Sequence, residues 1–262
     1  MESGLKKRFY DFKARHIKWR KISVRQLLHP VRVKDYKSVP VIINNRNRLT
    51  MLKRLIDSLI TRGYHNIYII DNASDYPPLL KWYSSCPYRV FLLHENAGHL
   101  SLWRTGIYKM FWDSYYAYTD SDMELTEDCP DDFMEKFISL LKKYPSALKA
   151  GFSLRIDDLP DCFDNKSSVI AHESQFWTKK LTDDAYEAPI DTTFAVYKPY
   201  FKGEYIDVRK RYIRTAPPYS ARHLPWYLDS SRMTEEERYY ISHLDTVTHW
   251  SAMENLENDL LQ

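Results

Sequence analysis

Asp120 and Asp122 stand one residue apart at the end of a run of β-formers, Tyr115-Tyr116-Ala117-Tyr118-Thr119. Side chains at i and i+2 of a strand point the same way, so both carboxylates can converge on one point where the chain leaves a sheet. Two hard oxygen ligands there suit a divalent cation, Mg²⁺ or Mn²⁺, that bridges substrate phosphates. The plainer alternative is a solvated acidic turn, because Asp-x-Asp is a common accident. The choice depends on what other elements bring to the same place.

Those elements follow a pattern. Val39-Pro40-Val41-Ile42-Ile43 reads as a buried parallel strand and ends in the polar loop Asn44-Asn45-Arg46-Asn47-Arg48. Met51, Leu52, Leu55, Ile56, Leu59 and Ile60 then fall at helical spacing, with Gly63 as a stop. Asn66–Ile70 is a second strand, ending at Asp71; Pro77-Pro78 opens a short helix; Tyr88–Leu93 is a third strand, followed by His94-Glu95-Asn96-Ala97-Gly98. A helix over about 100–111 leads to the fourth strand and the acidic pair. This β-α-β-α-β-α-β alternation implies a doubly wound, mostly parallel α/β sheet. Ligands of such sheets sit outside the strand carboxyl ends, where Asn44–Arg48, Asp71, Asn96–Gly98 and Asp120–Asp122 all lie. With no Gly-x-Gly-x-x-Gly and no Gly-Lys-Ser/Thr, dinucleotide dehydrogenases and P-loop enzymes are disfavoured.

The composition fits a folded globule rather than a disordered chain. The chain has 262 residues, 44% hydrophobic and 15% aromatic, enough for a sizeable core. No apolar run approaches the roughly 18 residues of a membrane helix, and the N-terminus is charged where a signal peptide is apolar. Three separated cysteines, Cys86, Cys129 and Cys162, suit a reducing compartment, so a soluble cytoplasmic protein is expected. Residues 1–38 hold 12 Lys/Arg against three acids, a charge of +9 that leaves −6 for the rest of a +3 chain. That basic arm, with Phe9, Phe12, Ile17, Trp19, Ile22, Leu27 and Leu28 interspersed, could pack on its own domain or lie on the anionic inner face of a membrane. Nucleic acid is not expected, because no recognised binding module follows.

Taken together, Val41–Arg48, Ile70-Asp71-Asn72-Ala73-Ser74-Asp75, Asn96-Ala97-Gly98 with Gly106 eight residues on, and Tyr118-Thr119-Asp120-Ser121-Asp122 resemble the family 2 glycosyltransferases, whose fold is called GT-A. The resemblance covers residues 39–125 well and the remainder loosely. It implies a nucleotide-diphosphate-sugar donor, linked to UDP or GDP, a divalent metal on the Asp-x-Asp, and inversion at the anomeric carbon. Asp71 resembles the aspartate that hydrogen-bonds the donor base, Asp120 the acid near ribose and metal, and Asp122 the metal ligand. Asn44, Arg46, Asn96 and Arg104 are the further donor-side candidates. There are departures. The family's Pro-x-Tyr-Asn reads Asn44-Asn45-Arg46-Asn47, and its Ala-Arg-Asn reads Leu102-Trp103-Arg104, with the arginine one place late. The Gln-x-x-Arg-Trp of processive synthases is missing, which argues for single additions.

In the second half, Pro130–Tyr144 reads as a scaffold helix, Ala147–Ile156 as a strand, and 157–190 as irregular, with His172, Glu173, Phe176 and Trp177 as a sugar floor or, more commonly, core. An inverting transfer needs a carboxylate to take the acceptor proton. Related enzymes supply it from a segment after the metal motif, and Asp191 is the candidate, with Asp183, Asp184 and Glu187 behind it; the family's Glu-Asp pair is absent. Arg222 could clamp the diphosphate, since guanidinium pairs well with phosphate oxygens. His223 and Trp226 could line the acceptor pocket. By resemblance to enzymes that return a late histidine to the metal, His249 is a further ligand candidate. The expected organisation is a basic arm (1–38), one GT-A domain (39–250) with a donor half (39–125) and an acceptor half (126–250), and a tail (251–262). The expected activity is metal-dependent sugar transfer to a glycan or lipid-linked hydroxyl, in cell-surface polysaccharide assembly. Two rivals remain: a non-catalytic nucleotide-sugar-binding domain of the same fold and, below it, a nucleotidyltransferase, which normally has glycine in the loop that Asn44–Arg48 occupies.

Overall fold

A computed structural model describes residues 24–201, 211–229 and 231–244. In its first half β1 (Val41–Asn45), β2 (Ile67–Asp71), β3 (Arg89–Leu92) and β4 (Tyr116–Asp120) alternate with α1 (Thr50–Thr61), α2 (Pro77–Tyr83) and a short α3 (Ser101–Arg104). The strands run parallel in the order β3-β2-β1-β4, so the chain switches direction across the sheet between β1 and β4. β1 is apolar from Val41 to Ile43 because both its faces are covered. Val41 and Ile43 pack with α1 and with α4 (Phe133–Lys143), while Ile42 faces a second core containing Trp103, Tyr116, Tyr118 and Tyr197.

The second half adds β5 (Met123–Leu125), β6 (Ala147–Gly151), β7 (Ser153–Leu154), α5 (Lys166–Ser174), β8 (Lys180–Thr182), β9 (Ala185–Glu187), β10 (Ala195–Tyr197), β11 (Arg211–Thr215), β12 (Ser220–His223) and α6 (Glu235–Ser242). One large sheet runs β3-β2-β1-β4-β10-β6-β11-β9-β8; a small one runs β5-β12-β7. The large sheet is mixed, because β10 enters antiparallel between β4 and β6. At that seam a Cβ on Gly151 would lie 2.2 Å from the Phe194 carbonyl oxygen, so only glycine lets the backbones close.

Three expected elements come out differently. The helix over 100–111 stops at Arg104, because Gly106 turns left-handed (φ 80°) and a 3₁₀ turn over Ile107–Met110 follows. The strand over 147–156 is two strands, β6 and β7, in different sheets; between them the Phe152 amide bonds Phe194 O at 3.1 Å. The irregular stretch 157–190 contains α5 and the β8–β9 hairpin.

Of the basic arm, residues 24–38 are described. Residues 24–28 are helical; Gln26 Nε2 donates to Pro199 O at 2.7 Å and the Arg25 guanidinium lies over Trp112 and Tyr200. Val31, Val33 and Tyr36 pack on the core, whereas Val24, Leu27 and Leu28 are exposed. The tail 251–262 lies outside the described residues. Among the described residues no helix is long and apolar enough to cross a membrane.

Candidate active site

Strand register builds the rim of the site. Asn44 pairs with Asp120 across β1–β4, and Asn45 with Asp71 across β1–β2, so the polar ends of three strands lie side by side at the switch point. The loops behind them are stitched together. Asn47, left-handed at φ 53°, accepts from the amides of Asp75 and Tyr76 through Oδ1 and donates to Asp75 Oδ1 at 2.7 Å. Buried Asn72 donates to Gly98 O at 3.1 Å and accepts from the Ala97 amide at 2.7 Å, tying the Asn96–Gly98 loop to the β2 tip. Arg104 Nη1 donates to Ala97 O at 2.6 Å from the other side, and Asn96 Oδ1 accepts from the Gly98 amide. Arg46 follows β1 directly, half-buried.

The carboxylates are held unequally. Asp71 is buried and Oδ2 accepts from the Ser74 amide at 2.9 Å, while Oδ1 has no hydrogen-bond partner. Asp120 has a protein partner on each oxygen: Oδ1 accepts from Asn44 Nδ2 at 3.2 Å and Oδ2 from the Thr192 hydroxyl. Burial and then the charge of Asp122 push its carboxyl upward, against the hydrogen bonds of Thr192 and Asn44. Asp122 goes the other way. Burial opposes its charge, but His223 and then Arg48 outweigh that and draw it down. Its Oδ2 lies 3.6 Å from His223 Nε2, while Oδ1 is buried without a partner. Buried polar atoms are normally paired, and these two carboxylate oxygens are among the few in the described residues that are not.

Antiparallel pairing brings His223 to Asp122. His223 registers with Met123 across β12–β5, and the Leu224 amide bonds Asp122 O at 2.8 Å. Expected on the acceptor side, His223 therefore stands beside the metal-ligand candidate, with Trp226 buried against its ring at 4.7 Å. Among the described residues no three His, Cys, Asp or Glu side chains form a complete metal cage. A Mg²⁺ or Mn²⁺ ion needs none when one or two carboxylates hold it and substrate phosphates complete the shell. The free hard oxygen of Asp122, next to Asp120, fits that arrangement.

Asp191 lies in the segment between β9 and β10, its side chain exposed, and the next residue, Thr192, grips Asp120. Besides the hydroxyl contact, the Asp120 amide bonds Thr192 O at 3.0 Å. The fallback acids lie on the β8–β9 hairpin in ion pairs: Asp183 with Lys180, Asp184 with Lys136, Glu187 with Lys179.

Arg222 is not placed as expected for a diphosphate clamp. It alternates with His223 on β12 and its guanidinium is committed to Asp158 (2.8 Å) and Glu127 (2.9 Å). The cation whose charge reaches Asp122 is Arg48, buried beneath the Tyr240 ring of α6 at 3.8 Å. The supposed sugar floor is scaffold: Glu173 is buried on Arg214, Phe176 lies under the same guanidinium, and Trp177 packs on Tyr186. His249 lies outside the described residues.

A doubly wound, mixed sheet with acidic strand tips at its switch point is the GT-A arrangement. Residues 40–181, more than half of the chain, match the profile of Glycosyl transferase family 2, and the chain belongs to that family. Among solved structures it is similar to glucosyl-3-phosphoglycerate synthase from Mycobacterium tuberculosis in complex with phosphoglyceric acid, at 13% identity over 61% of this chain and 56% of that one, TM-score 0.38. The same enzyme with Mn²⁺ and uridine-diphosphate-glucose gives 13% identity over 61% and 55%, TM-score 0.37. The match thus spans just over half the length of that enzyme. No curated protein matches the chain.

Proposed function

We propose that this protein transfers a sugar from a nucleotide-diphosphate donor to a hydroxyl of a glycan or lipid-linked acceptor, with inversion, in cell-surface polysaccharide assembly. The observation that carries the donor site is the pair of buried, unpartnered carboxylate oxygens, Asp71 Oδ1 at the end of β2 and Asp122 Oδ1 just after β4, on the two strands that flank β1. Asp71 accepts a hydrogen bond from the base, and the Asn96–Gly98 loop, braced by Asn72 and Arg104, borders the sugar phosphate. Asp122 and Asp120 would hold the divalent ion, with His223 beside them and His249 as a further ligand. When bound, that ion supplies positive charge to the departing nucleoside diphosphate. Arg48 adds fixed charge at the same place, where preorganised electrostatics act most strongly. The exposed carboxylate of Asp191 takes the proton of the attacking hydroxyl. Part of the basic arm 1–38 touches the cytoplasmic face of a membrane, a placement supported by the exposed Val24, Leu27 and Leu28 ahead of the segment that packs on the core.

The test is titration of UDP and GDP with and without Mn²⁺ or Mg²⁺, followed by turnover of a donor-sugar panel. Metal-dependent binding and turnover, both lost in Asp122→Ala, are expected. Unchanged transfer in Asp122→Ala would sink the metal role, and binding without turnover on every donor and acceptor would make the protein a binding module.

A further inference from the structure

The segment carrying Asp191 is fastened from beneath by two basic side chains that the mechanism leaves unused. Lys149 lies in the middle of β6, directly opposite Tyr197 of β10, and is 5% exposed. Its Nζ donates to the main-chain oxygen of Asp191 at 2.9 Å and to the Tyr197 hydroxyl at 3.2 Å, with the Tyr212 ring at 5.6 Å. Arg214 of β11, also 5% exposed, donates from Nε to the main-chain oxygen of Pro189 at 2.6 Å. Its Nη1 donates to buried Glu173 at 2.5 Å. Pro189 and Asp191 thus each have their carbonyl held from a different strand of the sheet. One residue further on, Thr192 grips Asp120 through both its hydroxyl and its carbonyl.

A lysine inside a sheet is disfavoured, because taking its amine out of water is costly unless hydrogen bonds are regained. A methionine or leucine at 149 would pack among Tyr197 and Tyr212 without that cost. Here the buried amine serves a main-chain oxygen beside an exposed carboxylate. We infer that Lys149 and Arg214 are positioning residues: they hold the backbone of 189–192 so that the Asp191 carboxylate faces the acceptor hydroxyl while Thr192 keeps Asp120 in line. The inference rests on reading Asp191 as the base. Neither side chain touches substrate.

The test uses the full chain with the donor and acceptor that support turnover, plus UDP with Mn²⁺ as the binding probe. Lys149→Met is expected to lower kcat by about 100-fold, the size of effect that a misplaced catalytic group produces. UDP affinity should stay within about threefold, because Asp71 and Asp122 are untouched. Lys149→Arg, which keeps a donor, should recover most of the rate. Lys149→Met with Asp191→Asn should be no slower than Asp191→Asn alone, since the two act as a unit. Amide hydrogen exchange should quicken over 189–193 in Lys149→Met and Arg214→Lys and stay unchanged at the tips of β1 and β2.

Wild-type-like kcat in Lys149→Met, with Asp191→Asn inactive, overturns the inference alone. An active Asp191→Asn overturns the base reading and the positioning role together. Loss of UDP binding and of folding in both Lys149 variants, with exchange quickened throughout, would make Lys149 a core residue and also overturn it.

Discussion

Arg214→Met should be among the most destabilising single changes away from the donor rim, and the structure says why. Arg214 and Glu173 have side chains 6% and 5% exposed, and Nη1 reaches Oε2 at 2.5 Å. The guanidinium also lies 4.3 Å from the centre of the Phe176 ring and bonds the Pro189 carbonyl. Methionine keeps the contact with Phe176 but strands a buried carboxylate. Breaking a buried pair from one side costs about 3–5 kcal/mol. For a domain of this size each kcal/mol moves Tm by roughly 2–4 °C, so a fall of about 6–20 °C is expected in thermal unfolding. Replacing both partners, Arg214→Met with Glu173→Leu, removes the stranded charge. That double variant should recover most of the loss and retain a deficit of about 1 kcal/mol for the missing bond to Pro189 O. The reasoning fails if the single change costs under about 1 kcal/mol, or if the double variant is less stable than the single one, because either result would mean the carboxylate is not trapped.

Three further outcomes follow from the same geometry. Asp71→Ala should weaken UDP binding by roughly 10- to 100-fold, the worth of a hydrogen bond to a charged group, with a smaller change in kcat; calorimetric titration checks this. Burial draws Lys149 down from its ordinary 10.5 to about 7, against the pull of Asp191. Between those values the unfolded chain holds a proton the folded one lacks, so Lys149 makes stability rise with pH above about 7, by at most ~1.4 kcal/mol per unit, and adds no slope below it. Urea unfolding at several pH values should show that rise in the wild type and lose it in Lys149→Met. Gly151→Ala should destabilise by about 1–3 kcal/mol in the same assay, since its Cβ would meet the Phe194 carbonyl at 2.2 Å.

The parallel half was legible because its signals are local. Apolar runs ending in polar residues locate β1, β2 and β4 to within a residue or two, and helical spacing locates α1 and α4. The second half was not, because its decisive features are pairings between distant segments. Nothing in Ala195-Val196-Tyr197 says that these residues enter the sheet antiparallel between β4 and β6, and nothing around Phe152 says that the chain changes sheets there. The short helix after Gly98 was overextended because apolar residues 100–111 keep a helical rhythm that the left-handed Gly106 interrupts.

The candidate site divides along the same line. Asp71, Asp120 and Asp122 stand at strand ends, and a strand end is visible in a sequence. Thr192 and Lys149 are an ordinary threonine in the loop before β10 and a lysine in β6; they matter only because the β10–β6 pairing brings Thr192 to Asp120 and Lys149 to the Asp191 carbonyl. Arg222 and His223 show what alternation alone decides. Both sit in one polar, aromatic stretch, and composition favoured the arginine as the phosphate-side group. Once β12 pairs with β5, however, successive side chains must face opposite ways. The face toward Asp122 takes the histidine, and the other face carries the arginine to Glu127 and Asp158. A one-residue slip in that pairing would exchange the two, so the electrostatics at Asp122 depend on the register of a three-stranded sheet.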